Sequence, residues 1–139
     1  MRGQSSLELL VTIGIVLAFT VPVVFLLLSV TSAGYENTSK SQADASARAL
    51  AETMDFVYSQ GSSAQREVLL NVPATTQSIS ASAGEVVVRI KTTGGTYDAA
   101  APTIANISPV VITKDLNGLV TLYVKDNGGE VELSEPTTP

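Results

Sequence analysis

Glu8 is the carboxylate at the mouth of a long apolar run, in MRGQSSLELLVTIGIVLAF. A charge kept there needs a partner or water, because an unpaired ion in apolar surroundings is costly. Little else in the chain has the makings of a reactive centre. There is no His and no Cys. That removes the commonest general base, the thiolate nucleophile, any disulfide framework and the commonest metal ligands. A Ser–Lys pair is left, and no motif for one is visible. Gly84, Gly94, Gly95, Gly128 and Gly129 match neither a phosphate loop nor a dinucleotide fingerprint. No enzyme activity and no cofactor are expected.

Three further sets of residues could carry chemistry. Asp115, Asp126, Glu130 and Glu132 are candidates to gather at one end of a sheet around Ca²⁺. No EF-hand spacing is present, and solvated strand and turn carboxylates are the preferred reading. Asn37-Thr38-Ser39 and Asn106-Ile107-Ser108 are sequons, so Asn37 and Asn106 are candidate N-glycosylation sites. Pro109 after the second would hinder modification. The net charge of −5 comes from scattered carboxylates. Nothing forms a basic stripe, and no nucleic-acid partner is expected.

The element behind Glu8 runs from Leu9 to Val30, 22 residues without a charge. As a helix at about 1.5 Å per residue it would span roughly 33 Å, close to a bilayer core. Its polar side chains, Thr12, Thr20 and Ser29, are expected to bond back to helix carbonyls. Pro22 removes one helix hydrogen bond and predicts a kink. Gly14 weakens the helix and permits close helix contact. Three readings compete. A secretory signal has a core of about 7–15 residues with a small-x-small site after it. This run is longer, although Ser32-Ala33-Gly34 loosely imitates such a site. A plain signal anchor is the second reading. The third is a segment processed ahead of the run, and it rests on the residues that precede it.

Those residues are a basic leader ending in glycine, Met1-Arg2-Gly3, then Gln4-Ser5-Ser6-Leu7-Glu8-Leu9-Leu10. Gln4, Ser6, Glu8 and Leu10 match the Q-x-S-x-E-x-L pattern of archaeal class III signal peptides, and the first 30 or so residues resemble archaeal type IV pilin-like proteins. The resemblance implies that a prepilin peptidase cuts between Gly3 and Gln4. Loss of Arg2 would take the net charge from −5 to −6. It also implies a homo-oligomeric filament built through the apolar helix, a pilus assembly ATPase and a membrane platform protein. The implied role is that of a structural subunit of a surface filament serving adhesion, first in the cell membrane and then outside the cell. A membrane-anchored minor pilin, a pilin-like solute-capture protein and an archaellum subunit are the alternatives. In the assembled form Glu8 would neutralise the new N-terminal amine of a neighbouring subunit and set the register between helices. The bland reading of Glu8 is a helix N-terminal acid favoured by the macrodipole.

Beyond the run, Ala43, Ala47, Leu50, Met54 and Val57 fall on one helical face. Lys40, Asp44, Arg48, Glu52 and Asp55 lie mostly away from it. The spacing predicts an amphipathic helix with Gly61 as C-cap. One long helix from about Ser6 to Gln60 is expected, with two helices hinged at Gly34 as the alternative. From Ala64 the pattern turns to β. REVLLNV, Ser78-Ile79, EVVVRIK, ISPVVIT, LVTLYVK and EVELS read as strands. Val86, Val88 and Ile90 form the apolar face of one of them. LVTLYVKDNGGEVEL reads as a hairpin across an Asp-Asn-Gly-Gly turn. TTGGTYDAAAPTIANIS reads as a loop or sheet edge. The expected fold is α+β: a leader over 1–3, an apolar helix over 4–34, an amphipathic helix over 35–61, a small, mostly antiparallel β head over 62–133 and a tail over 134–139.

Overall fold

A computed structural model describes residues 2–136. Met1, in the expected leader, and residues 137–139, in the expected tail, lie outside the described residues. The element order is α1 (Arg2–Gln60), β1 (Gln65–Val72), β2 (Thr76–Ser82), β3 (Glu85–Thr92), β4 (Gly95–Pro102), β5 (Val110–Ile112), β6 (Gly118–Asp126) and β7 (Val131–Ser134). The architecture is α+β, with the later part of α1 packed on antiparallel sheets. The chain divides after Glu36 into two units.

In the first unit every described residue is helical, beginning at Arg2 rather than Ser6. Pro22 lies inside α1. Three threonine hydroxyls donate to the carbonyl one turn back: Thr12 to Glu8 (2.8 Å), Thr20 to Val16 (2.7 Å) and Thr31 to Leu27 (2.8 Å). The expected donor Ser29 makes no such bond, and Thr31 does it instead. These bonds let polar side chains sit in an apolar surrounding without orphaned hydroxyls. Ser32, Ala33 and Gly34 are helical.

In the second unit, Ala43, Ala47, Leu50, Met54 and Val57 are almost completely buried, as their spacing requires. Ser39, Ser46, Ala51 and Thr53 widen that buried face. The Ser46 hydroxyl donates to the Asn71 carbonyl at 3.0 Å and ties the helix to the end of β1. Gly61 then stops the helix. Its φ of +89° is a left-handed conformation that glycine adopts at little cost.

Among the described residues the head contains two sheets. Three strands run in the order β1-β6-β7 and four in the order β4-β3-β2-β5, every adjacent pair antiparallel. The break falls between β1 and β2. Pro73 has no N–H to donate, and the Thr76 N–H bonds back to the Pro73 carbonyl. The chain therefore turns into a second sheet instead of pairing β2 with β1. Val68, Leu70, Leu122 and Val124 from the first sheet join Ile79, Val86, Val88 and Ile90 from the second, with the helix face, in one core. β2 and β3 are linked by the two residues Ala83 and Gly84, and β3 and β4 by Thr93 and Gly94. The Gly84 φ of +87° fits the positive φ that tight hairpins demand.

One further expectation is sharpened and two change. Of the two readings given for TTGGTYDAAAPTIANIS, loop or sheet edge, the edge holds over Gly95–Pro102, which form the edge strand β4. ISPVVIT forms a strand only over Val110–Ile112, with Ile107 making an isolated bridge to Val131. The β6–β7 loop is Asn127 to Glu130, since Asp126 still pairs with Val131.

Candidate functional site

The candidate site is the exposed face at the start of α1. Gly3, Gln4, Ser6, Glu8 and Leu10 are all helical and exposed. The Ser6 hydroxyl donates to the Arg2 carbonyl at 3.3 Å. Gln4, Glu8 and Thr12 recur every four residues and share one face. Gln4 and Glu8 therefore differ in height by one turn, about 6 Å. The Glu8 carboxylate has no cationic or hydrogen-bonding partner among the described residues. Helix α1 has no acidic residue in its first turn, and Glu8 lies in the second.

Glu8 stands at the start of an exposed apolar surface. The large apolar side chains from Leu7 to Val30 are all exposed, and none of the apolar stretch is buried within the chain. This helix is long and apolar enough to cross a membrane. An isolated soluble monomer rarely carries so large an apolar surface. Such a surface fits membrane anchoring.

Both sequon asparagines are exposed. Asn37 is on α1. Asn106 is in the loop before β5, where its side-chain amide donates a long 3.5 Å bond to the Gly129 carbonyl. The proposed gathering of Asp115, Asp126, Glu130 and Glu132 does not occur: no group of three or more potential acidic ligands is found among the described residues. Nor is Asp126 a solvated carboxylate. It is buried, and one of its oxygens accepts the Gly129 N–H at 2.6 Å, fixing the β6–β7 loop.

Three polar contacts in the head were not anticipated. Tyr97 on β4 donates to both carboxylate oxygens of Asp44 on α1, at 3.1 and 3.2 Å, with Lys40 over its ring at 5.6 Å. The hydrogen bond to Asp44 and partial burial push the Tyr97 phenol above its ordinary value. The Thr103 hydroxyl and the Ile104 N–H both donate to Asp55, the latter at 3.0 Å. Asp44 and Asp55 thus work at the flanks of the buried helix face and are not simply directed to water. Arg89 on β3 grips Asp98 on β4 with two parallel bonds of 2.7 and 2.8 Å. The Asp98 carboxyl is lowered by the hydrogen bond from Arg89, and the guanidinium is raised by the same bond. The hairpin register places these two directly opposite, so only this pair had a local signal in the sequence. The others join residues 48 to 53 positions apart.

Comparison with protein-family models, with curated proteins and with solved structures finds no match.

Proposed function

We propose that this chain is a structural subunit of an archaeal type IV pilus-like surface filament. A peptidase removes Met1 to Gly3, and apolar helices of many copies then pack together. The observation that carries this reading is the start of α1. A basic leader and the Gln4-x-Ser6-x-Glu8-x-Leu10 pattern stand directly ahead of a spanning-length helix with an uncovered apolar surface. Cutting at Gly3–Gln4 frees an amine one turn before Glu8. A neighbouring copy shifted along the axis by one turn brings that amine level with an unpartnered carboxylate. The pair fixes register, which is the best-attested use of such ionic contacts, while apolar burial supplies the undirected driving force. The β head, held to the helix by its core, forms the outer surface through which adhesion operates.

The test separates processing from assembly. Glu8→Ala should leave the chain cut before Gln4 and membrane-bound, with filaments lost or reduced at least about tenfold, as expected when a buried charge loses its partner. Normal filaments from Glu8→Ala would refute the register role. An uncut N-terminus in the wild-type cell would refute the reading as a whole.

A further inference from the structure

The head has two Asn-Gly dipeptides, Asn117-Gly118 ahead of β6 and Asn127-Gly128 in the β6–β7 loop. An asparagine side chain is attacked by the backbone nitrogen of the next residue, and a following glycine hinders that approach least. The other three asparagines precede Thr38, Val72 and Ile107, all β-branched and obstructive. The two Asn-Gly sites have equal chemistry and unequal surroundings. Asn127 is clamped: its side-chain amide donates to Glu132 at 2.6 Å and its backbone N–H to the Glu130 carbonyl at 2.8 Å. The loop around it is fixed by the Gly129 N–H bond to buried Asp126. Asn117 is exposed, lies between β5 and β6, and has no hydrogen-bond partner among the described residues. Gly118 is the last residue of the β1–β6 ladder, opposite Val72, so freeing its nitrogen opens no interior pair.

We propose that Asn117 is a site of slow self-modification, converting to aspartate and isoaspartate with water as co-reactant while Asn127 is protected. The Gly118 nitrogen attacks Asn117 Cγ and loses its proton. The Cγ–Nδ2 bond breaks, and ammonia leaves with that proton. The resulting succinimide takes up one water and opens at either carbonyl. The net exchange is NH₂ for OH, with no oxidant or reductant, and the chain gains one negative charge. The isoaspartate product also lengthens the backbone by one methylene just where β6 begins. In a long-lived surface protein the converted fraction at Asn117 records the time since synthesis.

The experiment uses the full chain in detergent micelles, incubated at mildly alkaline pH in heavy-oxygen water and mapped by peptide mass spectrometry. The Asn117 peptide should gain the isotope roughly tenfold faster than the Asn127 peptide, the factor expected for holding one amide in a charge-assisted hydrogen bond. In urea the two rates should converge, because both sites are Asn-Gly. Glu132→Ala should speed Asn127 alone. Equal rates in the folded chain, faster conversion at Asn127, or an inert Asn117 in folded chain whose unfolded form converts would each overturn the proposal. The wild-type comparison needs no variant to fold.

Discussion

At the residue scale, the head is tied together by polar contacts between distant positions. Tyr97 illustrates how such a contact is read. Its hydroxyl can hold Asp44 only while protonated, and its folded-state pKa is raised. The contact therefore contributes fully below the unfolded phenol value of about 10 and is lost as pH rises through the folded value. Tyr97 should ionise above the ordinary phenol value in an ultraviolet titration, and Tyr97→Phe should cost up to about 1 kcal/mol in a denaturant melt near neutral pH. Asp98 has the opposite sign. Its folded-state pKa is lowered by Arg89, so its contribution is complete above the unfolded carboxylate value and disappears as pH falls through the folded one. Both partners are about half exposed, which makes the pair weak and sensitive to salt. Asp98→Asn should change a denaturant midpoint slightly at low salt and not measurably at high salt. A large loss at high salt would mean that the pair is not acting as an exposed ion pair.

At the scale of elements, legibility followed the strength of local patterning. The helix face of Ala43, Ala47, Leu50, Met54 and Val57 was plain in the sequence, because a 3.6-residue period has few rival explanations. So was the alternation of Val86, Val88 and Ile90 on β3. β4 was obscured by its composition. GTYDAAAP has small and polar residues and a terminal proline, and it is a strand because β3 lies beside it and Ala99 and Ala101 fit under the core. The division into two sheets was hidden for a similar reason: strand order is set by long-range pairing, which leaves no local trace. The candidate site divides in the same way. The Gln4 to Leu10 pattern is contiguous and readable, whereas the burial of Asp126 depends on a loop closing over it. Leu50→Ala, at the centre of the helix face, should destabilise the head by about 2–5 kcal/mol through a cavity. Phe56→Ala, on a half-exposed position of the same helix, should cost far less. Thermal melts of the two variants compare them directly, and equal losses would contradict the core described above.

At the scale of the whole molecule, two different demands are met by one chain. The head buries most of its large apolar residues in a single core and leaves a scattered few, such as Leu69, Ile104 and Leu119, exposed, whereas the apolar stretch of α1 buries none of its own. That surface is long and apolar enough to fit a bilayer. In the proposed filament, Glu8 would add direction to an otherwise undirected association. The most direct test is mass spectrometry on filaments sheared from the cell surface, with the N-terminal peptide of their subunits sequenced. The expected result is this chain as a filament subunit, beginning at Gln4. Finding the chain only in membranes, or in filaments with Met1 to Gly3 still attached, would contradict the proposal.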